Sequence, residues 1–288
     1  VMKSTYIYMY DGKLCPCQGC QIIAWYSGIT MNFKSLWADS RGKVIVLLVA
    51  LWAAALVFQF RIVFVSSVVL AVAASVAVDS FLVWVQKKKR MLLLSSVVTG
   101  LLIGLVFDPM AGVIPILIAC IIASISKAFL GNGQHKHVFN PAAFGIVLAS
   151  LFFNRPVAWW GGSWGWMPTV IIAVGMIPIL IKLRRLWIPL AFLVIYYMSI
   201  LWSQALWPLR PDLFVSALRL TFDGTVFLFA FIMLPEPKTA PITGKWRYIW
   251  GIFMGLLVLV QNLFGIAVTD PLLLALLVAN VFAFVLIK

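Results

Sequence analysis

Residues 44–86 read VIVLLVALWAAALVFQFRIVFVSSVVLAVAASVAVDSFLVWVQ, and this stretch decides the fold class. It contains only two ionisable residues, Arg61 and Asp79. A helix needs about 20 apolar residues to cross the hydrocarbon core of a membrane, so the stretch is long enough for two crossings with a turn at Gln59–Arg61. The basic run Lys87-Lys-Lys-Arg90 follows at once. The sequence therefore predicts an all-α, polytopic integral membrane protein.

The composition of the whole chain agrees with this prediction. Of 288 residues, 64% are hydrophobic and 10% are charged, and the mean hydropathy is +1.09. Soluble domains are roughly 45–50% apolar and about 25% charged. The values exclude a disordered chain, a secreted disulfide framework and a soluble α/β enzyme. A net charge of +14 would suggest nucleic acid in a soluble protein, but here it indicates the orientation of the chain in the membrane.

Ten apolar runs between helix breakers predict a bundle of about ten transmembrane helices. The eighth run is short, so a count of nine or eleven stays open. The predicted spans are 44–60, 62–86, 91–107, 110–126, 140–153, 167–181, 186–207, 224–234, 248–268 and 271–287.

Basic residues separate cleanly between the two sides that this count defines. With the N-terminus inside, the inner segments hold 18 of the 22 basic residues, including all 13 lysines. Cytoplasmic loops collect Lys and Arg. The pattern predicts a multi-pass protein of the plasma membrane with both termini in the cytoplasm. The outer segments hold only Arg61, Arg155, Arg210 and Arg219.

Residues 1–43 are predicted to be a cytoplasmic leader. Its first 30 residues are polar and start with Val1, which makes Met31 a candidate natural start and residues 1–30 a candidate artefact. The leader contains Cys15-Pro-Cys17-Gln-Gly-Cys20, a spacing that can hold zinc or an iron–sulfur cluster only with a fourth ligand. Two histidines, His135 and His137, add no complete ligand set, and no metal site is predicted.

Two pairs of helix breakers divide the membrane part into related halves, residues 44–153 and 154–288. In the first half Asp108-Pro109 and Asn140-Pro141 lie 32 residues apart, and in the second Glu236-Pro237 and Asp270-Pro271 lie 34 apart. Asn and Asp suit helix N-caps, and proline fits the first helical position. Five spans per half would insert the halves with opposite topology, as in inverted repeats that hold sites near broken helices. The alternative is that these pairs only cap ordinary helices.

Several blocks in order resemble the RnfD/NqrB family, membrane proteins of the Rnf and Nqr redox-driven ion pumps. The resemblance covers roughly residues 44–288, and its motifs are weak singly but fairly specific in order and spacing. The blocks are His137-Val-Phe-Asn-Pro-Ala-Ala-Phe-Gly145, Gly161-Gly-Ser-Trp-Gly165, Arg184–Arg185 with Trp187-Ile-Pro189, Phe231-Ile-Met-Leu-Pro-Glu-Pro-Lys-Thr-Ala-Pro241, Gly244-Lys-Trp-Arg247 with Gly251 and Gly255, and Asn280.

The resemblance implies a membrane subunit that passes electrons through a bound flavin, with or without coupling to Na⁺ or H⁺ movement. Its partners would be other membrane subunits and a flavin or iron–sulfur reductase. Members with covalent FMN carry a Ser/Thr-Gly-Ala-Thr motif before the Gly-Gly-Ser. Here the loop 154–163 contains no Thr, and Ser27-Gly-Ile-Thr30 has Ile for Ala. Trp166 also replaces the Glu expected after Gly-Gly-Ser-x-Gly. We therefore predict a divergent member with no covalent FMN, although a non-covalent flavin (FMN or riboflavin) stays possible.

Candidate site residues follow from the breakers and from the resemblance. Asp79 is the ionisable residue that these boundaries place within a span, where an acid normally faces a cavity or a partner. It is a candidate for an ion pathway; the alternative is that it reaches the inner interface. The candidate cofactor-binding residues are Asn140, Pro141, Gly161, Gly162, Ser163, Glu236 and Lys238.

Each cofactor candidate also has a structural alternative. Glu236 could cap a broken helix or lie in a solvated turn. Lys238 could hold a flavin phosphate or only set the topology. The glycines could let backbone amides approach an anionic or planar cofactor, or form a turn before the sixth span.

Two other functions stay open beside the redox subunit. Inverted repeats are also a transporter pattern, so a small-solute transporter or channel is the first alternative. The lost flavin-attachment motif favours the second, a membrane anchor for a redox partner. The chain has no P-loop, nucleotide-binding Gly-rich turn or nucleophile triad, so it is not expected to oxidise NADH itself.

Overall fold

Helices form nearly all of the chain that the computed structural model describes, which is residues 39–86, 93–132, 136–205, 212–237, 239–240, 244–266 and 268–286. The prediction of an all-α membrane bundle is confirmed. The α-helices are α1 (Ser40–Phe58), α2 (Ile62–Val85), α3 (Leu93–Val106), α4 (Val113–Phe129), α5 (Pro141–Phe153), α6 (Met167–Lys182), α7 (Trp187–Ala205), α8 (Leu213–Thr221), α9 (Gly224–Leu228), α10 (Trp246–Leu263) and α11 (Pro271–Leu286).

Three minor elements lie at the helix ends. A 3-10 turn at Pro109–Ala111 precedes α4, and a short antiparallel strand pair, β1 (Gly131–Asn132) and β2 (Lys136–His137), leads from α4 towards α5. The third is a π-helical segment at Phe229–Met233, which continues α9. The leader cysteines, His135 and Lys238 lie outside the described residues.

By length and composition, three of the described helices can cross a membrane, namely α1, α2 and α10. A fourth crossing results if α8 and the segment Gly224–Met233, bent by 42°, count as one span. Six further apolar segments of 10–17 residues complete a set of ten, one at each predicted position, namely Leu94–Val106, Val113–Phe129, Pro141–Phe153, Met167–Lys182, Trp187–Ser203 and Pro271–Val285. For these six, a full crossing stays a prediction, because about 20 residues are needed.

The eighth predicted span, 224–234, differs most from the structure. Helix begins eleven residues earlier, at Leu213, and bends around Phe222–Asp223 before it continues. The sequence of α8 contains Ser216 and Arg219, so hydropathy alone placed it outside the span. Asp223 explains the break, because its carboxylate accepts from the backbone N–H of Thr225 at 2.8 Å and so caps a new helix.

Helix contacts repeat between the two halves of the bundle. In the first half α1 packs on α3, α2 packs on α3 and α4, and α4 packs on α5. In the second, α6 packs on α9, α7 packs on α8 and α10, and α10 packs on α11. The halves meet through equivalent members, α1 with α6 and α5 with α11. This pairing supports the predicted repeat, while its inverted orientation stays a prediction.

Candidate functional site

The π-helical segment ends at three carbonyl groups that three different elements satisfy. Asn140 donates from Nδ2 to the Met233 oxygen at 3.3 Å. The indole Nε1 of Trp250, in α10, donates to the Leu234 oxygen at 3.5 Å. Arg185 donates from Nη1 to the Pro235 oxygen at 2.9 Å. The last carbonyls of a helix have no partner within it, so these side chains stabilise a helix end that is buried in the bundle.

Asn140 joins this helix end to the start of α5. Its side-chain Oδ1 accepts from the backbone N–H of Ala143 at 3.1 Å, which is the bond of an N-cap. Pro141 follows at the first helical position, as predicted. The residue is 2% exposed and uses both its acceptor and its donor. An amide is needed here because a carboxylate could not donate to the Met233 carbonyl.

Charges gather around the turn that follows the helix end. Arg185 is 3% exposed and lies in the turn between α6 and α7. Burial lowers the pKa of its guanidinium, and the carboxylate of Glu236 opposes that shift. Glu236 is half-buried, accepts from the Thr239 hydroxyl at 3.3 Å, and attracts the ammonium of Lys127 at longer range. The negative charge of Glu236 therefore attracts cations from both halves of the chain, Lys127 from the first and Arg185 from the second.

A second polar contact forms at the start of α11. Asp270 caps this helix through Oδ1, which accepts from the Leu273 N–H at 3.0 Å, and its Oδ2 accepts from the indole of Trp159 at 2.7 Å. Trp159 is held in turn by α3, because its backbone N–H donates to the Val106 oxygen at 2.9 Å. Asn140 and Asp270 therefore make the same N-cap bond, and each reaches across to another element.

Gly161, Gly162 and Ser163, which were predicted to bind a cofactor, make backbone contacts within the protein. The N–H of Gly161 donates to the Leu105 oxygen, and those of Gly162 and Ser163 donate to the Trp159 oxygen, at 2.8–3.1 Å. A Cβ on Gly162 would lie 2.9 Å from the oxygen of Gly224. Both glycines are buried, whereas Ser163 is exposed. These contacts favour the turn alternative for this loop.

Asp79 is paired with a side chain from a neighbouring helix. The Nζ of Lys127, in α4, lies 2.8 Å from its Oδ2, and the side chains are 7% (Lys127) and 15% (Asp79) exposed. Ser96 of α3 donates to the same oxygen at 2.5 Å. Lys127 was expected in an inner loop, but α4 extends to Phe129 and includes it. The statement that Asp79 is the ionisable residue within the spans is therefore corrected.

The predicted candidates thus fall into separate places. Asn140, Pro141 and Glu236 meet at the end of the π-helical segment. Gly161, Gly162 and Ser163 lie with the Trp159–Asp270 contact. These two places are at opposite ends of α5, whose 13 residues extend about 20 Å. Sequence reasoning did not single out Lys127, Arg185 or Trp250. Arg185 had a signal in its Arg-Arg block, which positive-inside topology explained equally well.

Several of the groups predicted to hold a flavin are already hydrogen-bonded within the protein. The amides at 161–163 donate to carbonyls, and the side chain of Asn140 is occupied on both atoms. The space beside Gly161 and Gly162 is filled by Leu105 and Gly224. In this arrangement these groups do not fit a flavin.

The second half of the chain is similar to a known protein family. Residues 150–288 match the model of the NQR2, RnfD, RnfE family. This part of the chain, just under half of its length, is therefore similar to that family. The matched stretch contains the helix end at Met233–Pro235, Arg185, Trp250 and the Trp159–Asp270 contact. Most of the polar contacts described above therefore lie within it.

Similar curated proteins are in each case the subunit designated D of an ion-translocating oxidoreductase complex. That of Cronobacter sakazakii is 32% identical over 145 residues, which is 50% of this chain and 39% of the relative. That of Shewanella sediminis is 29% identical over 123 residues, 43% of this chain and 34% of the relative. That of Yersinia pestis is 26% identical over 155 residues, 54% and 40% respectively. The chain therefore matches well under half of the length of these relatives.

Proposed function

We propose that this protein is an integral membrane subunit of an ion-translocating oxidoreductase complex. The observation that supports the proposal most strongly is the match of residues 150–288 to the NQR2, RnfD, RnfE family, together with relatives named for that activity. The bundle of apolar helices suits a membrane subunit. Its partners are then other membrane subunits and a flavin or iron–sulfur reductase, and its place is the plasma membrane with both termini in the cytoplasm.

A finer part of the proposal concerns electrons and ions. The subunit is proposed to take part in electron transfer, and a flavin that served it would be held without a covalent bond, since the loop 154–163 has no Thr to attach one. When bound, a flavin supplies a carrier for electrons, while the protein provides position and electrostatics. Because the described candidates are engaged elsewhere, its contacts must come from other groups or from a rearranged site. Electron transfer is proposed to be coupled to movement of Na⁺ or H⁺.

A membrane anchor for a redox partner is the second candidate function. The buried, internally bonded loop at residues 159–162 favours it, because that loop serves packing in this chain. An anchor would join the same complex without carrying electrons. The two candidates differ in one measurable property, the presence of flavin.

The test is purification of the tagged full chain from its native membranes in mild detergent. The proposed function predicts stoichiometric co-purification of membrane subunits and a reductase, with redox activity that drives ion uptake into vesicles. Solute flux by the chain alone in proteoliposomes, with no co-purifying redox subunit, would contradict it.

The optical spectrum of the purified chain, before and after acid precipitation, then separates the two candidates. A non-covalent flavin absorbs in the first sample and is released into the supernatant of the second. No flavin in the active complex, and none gained on incubation with FMN or riboflavin, would leave the anchor function.

A further inference from the structure

Polar residues form two facing rows inside the first half of the bundle. Ser75 and Asp79 are four residues apart on α2, so they share one helix face. Cys120, Ser124 and Lys127 follow at four and three residues on α4, which packs against α2. Ser75, Cys120 and Ser124 are fully buried. Such rows are unusual in a membrane bundle, where each polar group needs a partner.

The rows meet at the carboxylate of Asp79. Its Oδ2 accepts from the Lys127 ammonium at 2.8 Å and from the Ser96 hydroxyl at 2.5 Å. The hydroxyl of Ser124 lies next in the row, and Ser75 lies beside the Cys120 thiol, whose Sγ is 3.5 Å from the Ala71 oxygen. Ammonium, carboxylate and hydroxyl groups from three helices therefore surround one point.

Two hydroxyl groups of the rows lie close to neighbouring polar groups but are not well bonded to them. Among the described residues, the Oγ atoms of Ser75 and Ser124 are buried without a hydrogen bond of ordinary geometry. Buried polar atoms normally have a partner. The Ser96 and Ser124 hydroxyls and the Asp79 carboxylate bring several oxygen atoms together, and oxygen atoms are the ligands that hard cations prefer.

We propose that Asp79, Ser96 and Ser124 form a binding site for a small monovalent cation of the Na⁺ class, and that the Lys127 ammonium occupies it as a tethered cation. Lys127 supplies the positive charge that a free ion would bring, at the end of a side chain. A free cation that bound at Asp79 would have to displace this ammonium. The inference rests on these contacts and does not depend on the proposed function.

The test is to remove the tethered cation and to offer a free one. Lys127→Met in the full chain leaves Asp79 charged and unpaired, so the variant is expected to melt at a lower temperature in choline chloride. NaCl at the same ionic strength should restore its stability, and wild type should not respond. Ligand binding to the folded state at ten times its dissociation constant raises the folded-to-unfolded ratio about elevenfold.

The matched control is Asp79→Asn/Lys127→Met, which removes both charges and should melt at the same temperature in either salt. If Lys127→Met does not accumulate, Lys127→Gln is measured in the same way, because its amide can still donate to Asp79. Equal melting of the single variant in NaCl and choline chloride overturns the proposal. So does an equal response of the double variant, or failure of both single variants to fold in NaCl.

Discussion

Asn140 and Asp270 show how one polar atom decides the residue at a helix start. Both accept from the N–H three residues on. The remaining atom of Asn140 faces a carbonyl and must donate, whereas that of Asp270 faces an indole N–H and must accept. An amide therefore suits the first position and a carboxylate the second.

Exchanging the two side-chain types should destabilise each contact. Asn140→Asp keeps the cap but turns an oxygen towards the Met233 carbonyl, and Asp270→Asn turns an NH₂ group towards the Trp159 indole. Each should lower the free energy of unfolding by about 1–3 kcal/mol, the usual effect of an unsatisfied buried group. Urea unfolding in detergent measures this. Asp108→Asn is the control, because its bond to the Met110 N–H needs only an acceptor; equal losses in all three variants would refute the argument.

Gly162 is a residue whose lack of a side chain permits a close approach. A Cβ there would lie 2.9 Å from the Gly224 oxygen, and one on Gly224 would lie 2.4 Å from the Gly162 oxygen. Both obstacles are backbone atoms, so relief requires the loop to move away from α9. Gly162→Ala should therefore lower the melting temperature markedly, while Ser163→Ala at the exposed neighbouring position should not. A variant as stable as wild type would show that the loop yields easily.

Residue-scale prediction succeeded where local chemistry was unambiguous. Asn140 and Asp270 were found because an Asx-Pro pair has one physical reading at a helix start. Lys127 was missed because its pairing with Asp79 depends on a contact between residues 48 positions apart, which hydropathy does not encode. Arg185 was counted only as a topology signal, and its bond to the Pro235 carbonyl follows from packing.

At the scale of elements, the broken eighth span shows the limit of hydropathy most clearly. Phe229–Met233 is wound as a π-helix, a form that leaves local backbone groups without their usual partners. The apolar sequence of this segment predicts a buried helix, and that much is correct. Its winding, and the bend to α8, depend on Asp223 and on side chains from other parts of the bundle that no local pattern reveals.

Arg185 should hold this helix end closed. Arg185→Met leaves the Pro235 carbonyl without this donor and removes a cation that the Glu236 carboxylate attracts, so the end should open more often. Hydrogen–deuterium exchange in peptides that cover residues 229–240 should become faster. Lys182→Met removes an exposed cation at the end of α6 and provides the control. Unchanged exchange in Arg185→Met would show that Asn140 and Trp250 suffice.

At the scale of the whole molecule, the equivalent pairing of helices in the two halves connects the local contacts. The breaker pairs predicted the halves, and the matching contacts, with α1 on α6 and α5 on α11, support them. Sequence could not reveal those contacts, because identical capping motifs occur in helices that never meet. It could predict the order and approximate position of ten apolar segments, since these depend on composition alone.

The predicted orientation can be tested with cysteines at exposed basic positions. Arg61 and Arg155 belong to the predicted outer side, and Lys182 and Lys245 to the inner side, and all four are exposed. Each is replaced singly by cysteine in a chain whose leader cysteines are serine. A membrane-impermeant maleimide should label Arg61→Cys and Arg155→Cys in intact cells, and should label Lys182→Cys and Lys245→Cys only after permeabilisation. If both pairs showed the opposite labelling, the number of crossings between the labelled positions would stand and only the orientation of the protein in the membrane would be inverted. A split within a pair would instead show that the number of crossings between its two members is odd, and the inverted repeat of five and five spans would then be wrong.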